Sequence, residues 1–210
     1  MTPQVSDSTK NFQIARKNGD SNITCDLTNN DVLIGTYKIP ALTEVAKFSL
    51  SSTSECPAVS NTWYMLSATG QKSDALISMG TGSTPATTYD VSASNVAMNL
   101  ANAFHYVDYD LYIDSVNVWV GADAASALTV KTSLMSYNIS STTGDFSDGT
   151  EHAVGSQNNV GHSAVMLSTL TVSTPIVPYR TALVGLVRAN GTTTDYSVNM
   201  QVRYRIRKRD

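Results

Sequence analysis

The sequence predicts an all-β protein, an antiparallel β-sandwich of jelly-roll-like kind preceded by an extended N-terminal arm. Three observations predict it. The first is a period-two alternation on both sides of a short turn in 109–137, YDLYIDSVNVWVGADAASALTVKTSLMSY. The second is the last strand, where Val198, Met200, Val202, Tyr204 and Ile206 alternate without a break against Asn199, Gln201, Arg203, Arg205 and Arg207. The third is composition: only 15% of the 210 residues are charged and about a quarter are Ser or Thr, which favours strands and polar loops over long solvated helices.

A chain of this length is commonly one sandwich domain. Residues 1–30 carry only Val5, Phe12, Ile14, Ile23 and Leu27 as apolar anchors among Thr, Ser, Asn and Asp. That is too few for a core, so the segment is expected to be an arm, disordered or ordered by lying on another surface. Residues 31–210 are the expected sandwich. Strands are expected at 32–37 and 44–50, separated where Pro40 would deny a ladder hydrogen bond, and then at 63–68 and 75–78. Gly80-Thr81-Gly82-Ser83-Thr84-Pro85 breaks the pattern. Over 91–104 the spacing of Val91, Val96, Met98, Leu100, Ala101 and Phe104 fits a short helix and an irregular strand equally.

In the central stretch Leu111 and Ile113 take one face, and Val116, Val118 and Val120 resume the period after a one-residue slip that predicts a bulge. Leu128, Val130, Thr132 and Leu134 then alternate against Thr129, Lys131 and Ser133. With the small, polar 121–126 between them, the two runs read as the central antiparallel hairpin. Residues 138–161 read as a long polar loop, of the kind that often makes contacts. A strand follows at 164–172, Pro175 and Pro178 flank a bend, and 182–188 with 196–207 read as a second hairpin across Asn190-Gly191. Eight or nine strands, unequal loops and no internal repeat suit a jelly roll better than a propeller or an up-and-down barrel.

The net charge is −3, but its distribution is uneven. Nine acidic residues and one basic residue, Lys131, lie between Asp74 and Glu151, whereas the chain ends in Arg203, Arg205, Arg207, Lys208 and Arg209. Nucleic-acid binding is disfavoured, since it normally needs a basic excess. The basic run reads instead as protection of an edge strand or as a contact with an acidic surface, such as the acidic middle of a neighbouring copy. Cys25 and Cys56 allow at most one disulfide. The first residues lack the apolar segment of a secretory signal and no apolar run is long enough to span a membrane, so a soluble protein made in a cytoplasm is expected.

Candidate chemistry is thin. His105, Asp108, Asp110 and Asp114 place carboxylates on one strand face beside a histidine, a set able to hold a cation but more simply a solvated face. Asp145, Asp148 and Glu151 with His152 surround a Gly, yet lack EF-hand spacing and suit an Asp148-Gly149 turn. Ser163 follows His162 outside any Gly-x-Ser-x-Gly elbow, and Gly80-Thr81-Gly82 lacks the Lys of a phosphate loop. No enzymatic activity, metal or cofactor is expected.

From about 106 to 207, half of the chain, the pattern resembles virion structural proteins of tailed bacteriophages, above all small β-sandwich or jelly-roll head decoration (cement) proteins. The segments that carry it are DLYIDSVNVWV, ALTVKTSLMSY, AVMLSTLTV and TALVGLVRANGTTTDYSVNMQVRYRI. The resemblance implies a non-enzymatic protein on the outer surface of an assembled head, made in the host cytoplasm. It would bind the major capsid protein or neighbouring virion subunits and form a homo-oligomer, with a trimer favoured. The expected assembly contacts are Phe12, Ile14, Arg16 and Lys17 of the arm and Arg203, Arg205, Arg207, Lys208 and Arg209 of the basic end. Because one sandwich serves many functions, two alternatives stay open. One is a single-jelly-roll coat protein. The other is a fibre or glycan-binding module using Trp63, Tyr89, Tyr106, Tyr109, Tyr112 and Trp119.

Overall fold

A computed structural model describes residues 4–5, 11–15, 21–26, 31–34, 37–39, 43–52, 61–68, 77–94, 97–122, 128–160, 164–190 and 196–206; the side chains of 1–43, 50–52, 93, 94 and 98 lie outside that description. The chain divides into two compact units, Met1–Thr43 and Glu44–Asp210. In the first, β1 (Gln4–Val5), β2 (Asn11–Ala15), β3 (Ser21–Asp26), β4 (Asp31–Ile34) and β5 (Tyr37–Ile39) pair in sequence order as an antiparallel meander. The stretch expected as an arm supplies β1 to β3. Phe12 and Ile14 stand on β2 opposite Cys25 and Ile23. Arg16, Lys17 and Cys56 lie outside the described residues.

The second unit contains β6 (Thr43–Ser52), β7 (Thr62–Met65), β8 (Ser78–Thr81), two helical turns α1 (Val91–Ser94) and α2 (Ala97–Leu100), β9 (His105–Tyr106), β10 (Leu111–Ala122), β11 (Leu128–Ile139), β12 (Phe146–Val154), β13 (Asn158–Val160), β14 (Ala164–Thr169), β15 (Thr171–Val172), β16 (Ile176–Val177), β17 (Thr181–Asn190) and β18 (Tyr196–Ile206). One sheet runs β14-β10-β18-β6, with β16 beside β10. The other runs β15-β12-β11-β17-β7-β8, with β13 on β11 and β9 on β17. Their described ladders are antiparallel.

Taking β7 and β8 as one ribbon, the long strands in chain order are β6, β7, β10, β11, β12, β14, β17 and β18. Only β11 and β12 are consecutive partners; each other step passes to the opposite sheet. This wrapping of sequence-distant strands around one core is a jelly roll.

The topology corrects both expected hairpins. β10 and β11 do not pair: β10 lies between β14 and β18, and β11 between β12 and β17. The same holds for β17 and β18, which flank Asn190-Gly191 and belong to opposite sheets. Alternation fixes which side of a strand is apolar, and an arch between two sheets buries the same side chains as a hairpin within one. A third correction concerns 138–161, which forms β12 and β13 rather than a loop. Its alternation is broken at Asp148-Gly149, where the β11 register jumps from Thr150 to Ser147 and Asp148 takes φ 54°. Gly149 is required there, since a Cβ would stand 2.6 Å from the Tyr137 ring and 2.8 Å from Thr87 Cα. The bulge expected in β10 is present, with the ladder to β18 shifting between Ile113 and Ser115.

Two apolar layers result. Between the sheets, Val116, Val118 and Val120 of β10 and Val198, Met200 and Val202 of β18 pack with Leu128, Val130, Leu134, Leu183 and Val187 of the second sheet. A second layer covers the outside of that sheet: Met135, Tyr137, Ala182, Val184 and Leu186 lie under Met79, Val91, Leu100 and Ala103. β17 is thus buried on both faces, which is why TALVGLVRAN is apolar without alternation. Gly185 faces the inter-sheet core, where a Cβ would come within 2.9 Å of Phe48.

Candidate functional site

Among the described residues of this unit, none forms such a cover over the outer face of the β14-β10-β18-β6 sheet. Side chains pointing outward are those out of phase with the core: Val45 and Lys47 on β6, Arg203 and Arg205 on β18, Tyr112 and Trp119 on β10, Val165 and Leu167 on β14. Leu167 stands opposite Trp119 and Ile176 opposite Tyr112, so the apolar groups form adjoining cross-strand rows. Of the eight large hydrophobic side chains exposed among the described residues, five lie here: Val45, Tyr112, Val165, Leu167 and Ile176. Val165 is 74% and Leu167 62% exposed. A groove of about 700 Å³ runs beside them, lined by Lys47, Ser49, Trp119, Asn199 and Gln201 among others.

The charge on this face is mainly positive. Arg205 Nε donates to Asp114 Oδ1 at 2.9 Å and its guanidinium lies 4.9 Å from the Tyr112 ring centre. Asp114 is the residue extruded by the β10 bulge, so the bulge delivers its carboxylate to the next strand. Lys47 and Arg203 are exposed on the same side. The edge-strand reading of the basic run does not hold, because β18 is an interior strand paired with both β10 and β6. The edges of this sheet are β14, which carries no charge, and β6, which carries Glu44 and Lys47. Arg207, Lys208 and Arg209 lie outside the described residues.

The carboxylates considered for cation binding separate in space and function. Asp114 pairs with Arg205, and Asp110 Oδ1 accepts the Tyr179 backbone N–H at 2.9 Å. Asp145 accepts the Val91 N–H at the start of α1 (2.8 Å), Asp148 accepts from Asn138 (2.9 Å), and Glu151 accepts the Ser133 hydroxyl (3.1 Å). Each of these five carboxylates ties one strand or turn to another, while Asp108 lines a cleft at the end of the sandwich. Among the described residues no three His, Cys, Asp or Glu side chains are grouped to hold a metal ion, and no helix is long and apolar enough to cross a membrane. Ser163 and His162 lie outside the described residues.

Two buried polar clusters brace the second sheet. The His152 ring is fully enclosed between the Thr174 carbonyl (Nδ1, 2.6 Å) and the Ser136 hydroxyl (Nε2, 2.7 Å), and burial pushes its pKa below the usual 6.5. A Ser–His contact sealed from solvent has no route to a substrate, so it is structural. Trp63, also fully buried, is stacked by Arg188 at 5.3 Å and approached by Lys131 at 5.9 Å, while its Nε1 donates to the Gly82 carbonyl (3.2 Å).

The aromatic residues considered for glycan contact therefore divide. Trp63 is core; Tyr112 and Trp119 lie on the open sheet face; Tyr106 and Tyr109 are exposed at one end of the sandwich. Val45, Val165, Leu167 and Ile176 were not expected as contacts, since AVMLST reads as an ordinary core strand. The apolar residues on both sides of that strand were the available signal, because a strand buried on one side has no use for both. No family model matches this chain, and no curated protein is significantly similar to it.

Proposed function

We propose that the chain is a non-enzymatic virion structural protein, a capsid decoration protein that attaches to an assembled head through the outer face of the β14-β10-β18-β6 sheet. The observation that carries this reading is the unequal covering of the two sheets. Met79, Val91, Leu100 and Ala103 cover one sheet, whereas Val165, Leu167 and Ile176 on the other stand in solvent. Contiguous exposed apolar side chains on a well-packed domain mark contact surfaces. Lys47, Arg203 and Arg205 around them favour a partner with an acidic surface, and the chain's resemblance to head decoration proteins supplies the class of partner. The carboxylates of Asp110, Asp114, Asp145, Asp148 and Glu151 serve as structural ties and the buried Ser136–His152 pair is sealed, so neither group supports an enzymatic reading.

The test is light scattering of the purified chain, alone and after mixing with heads that lack it. Attachment of a small stable oligomer in stoichiometric amounts is the expected result. Spontaneous growth of the pure chain into closed shells would make it a coat protein instead, and indifference to heads would remove the decoration role.

A further inference from the structure

At the end of the sandwich where β6 begins, β9 passes into β10 and β18 ends, there is a cleft of about 150 Å³. It is lined by Glu44, His105, Asp108, Tyr109, Tyr204 and Ile206, with Tyr106, Val107 and Leu111 completing it. Glu44 and Tyr204 are 160 positions apart, and the jelly-roll wrapping brings them together. The remaining three of the eight exposed large hydrophobic side chains, Tyr106 (45%), Tyr109 (62%) and Ile206 (42%), are all here. The outer sheet face and this cleft thus account for the whole set.

The polar groups form a directed chain. Tyr204 donates its hydroxyl hydrogen to Glu44 Oε2 at 2.9 Å, and His105 Nε2 lies 3.3 Å from the Tyr204 oxygen. Burial lowers the His105 pKa, outweighing the pull of Glu44 and Asp108, so the ring is neutral at neutral pH. With the Tyr204 hydrogen directed at Glu44, that ring donates from Nε2 to the Tyr204 oxygen. Burial and the Glu44 carboxylate push the Tyr204 hydroxyl up to about 12, so it keeps its proton. Glu44 Oε1 and the Asp108 carboxylate add acceptor capacity beside exposed tyrosine rings.

We propose that this cleft binds a single pyranose ring of a glycan. A pyranose offers hydroxyl donors to the carboxylates and an apolar C–H face to a tyrosine ring, which matches both halves of the lining. An anion would meet two carboxylates and, among the described residues, no cationic lining group. A divalent metal ion would find no cluster of three ligands among the described residues. A quaternary ammonium would suit the rings and carboxylates but leave the His105–Tyr204–Glu44 chain without a role. The proposal is independent of head attachment, since the cleft lies at the end of the sandwich.

The experiment is saturation-transfer difference NMR on the full chain with methyl pyranosides of glucose, galactose, mannose and N-acetylglucosamine, and with tetramethylammonium as a separate sample. Transfer to the ring protons of at least one pyranoside is expected. It should fall about tenfold or more in Tyr109→Ala and in Glu44→Gln, since each removes one half of the recognition. Tyr109 is largely exposed, so its removal leaves the core intact, and a thermal melt of each variant confirms folding. Absence of transfer to every pyranoside, undiminished transfer in Tyr109→Ala, or transfer to tetramethylammonium alone would overturn the proposal.

Discussion

β17 and β18 follow one another in the chain and have similar lengths, yet they sit in different worlds. In β17 the first nine residues are buried, whereas β18 alternates buried with half-buried or exposed from Tyr196 to Arg205. The difference lies in what covers each sheet. β17's outer side chains are roofed by Met79, α1, α2 and Ala103; β18's outer side chains face solvent beside Tyr112, Trp119 and Leu167. A sheet that the chain covers itself is organised for stability, and its polar groups are enclosed ties. A sheet left open keeps apolar groups that contribute little to folding, and these are available to a partner.

Substitutions should sharpen this contrast. Trp63→Ala in the covered sheet removes a fully buried ring and the surface on which Arg188 and Lys131 stack, and should cost about 4 kcal/mol in chemical denaturation. His152→Ala strands the Ser136 hydroxyl and the Thr174 carbonyl around a cavity and should cost about 3 kcal/mol by the same measurement. The pH dependence has a definite sign. His152 and His105 have folded-state pKa values below 6.5, so as pH falls through that value the unfolded chain takes up protons first. Their contribution to stability is fully present above about 6.5, declines below it and levels off under the folded values. A urea midpoint that did not fall on acidification through this range would contradict the enclosed placement of His152.

On the open sheet the effects should be smaller. Arg205→Ala breaks an ion pair whose partners are 31% and 27% exposed, together with a cation–π contact, and should cost about 0.5–1 kcal/mol, less at high salt. Leu167→Asp should change stability by only about 0.5 kcal/mol or less, because the side chain is mostly solvated already. A large loss there would mean that the open face holds the fold together.

Much of the fold was legible because alternation reports directly on burial. The β10 bulge followed from a phase slip at Ile113–Val116, and the burial of Val198, Met200, Val202 and Tyr204 in β18 followed from its period, whereas Ile206, expected on the same core face, is exposed at the strand's end. What alternation does not carry is the identity of the opposing strand. The Asn190-Gly191 signal marks a change of direction and is silent about which sheet receives the chain. β12 was unreadable because the Asp148-Gly149 bulge breaks its phase, and β17 became intelligible only once the second apolar layer was seen. At the candidate site the outward placement of Arg203 and Arg205 was legible, while the exposure of Val165 and Leu167 was not. That exposure depends on β14 being an edge strand of the sheet whose outer face no described residue of this unit covers, a fact of topology. The end cleft was hidden for the same reason, since Tyr204 reads as core and Glu44 enters from the far end of the sequence.

Attachment through the open sheet face remains the proposal that a binding experiment can decide. The most direct measurement is cosedimentation with decoration-free heads of a Val165→Asp/Leu167→Asp double variant whose thermal midpoint matches that of the unsubstituted chain. The double variant should stay folded and unchanged in solution size but remain in the supernatant. Cosedimentation equal to that of the unsubstituted chain would contradict the proposal.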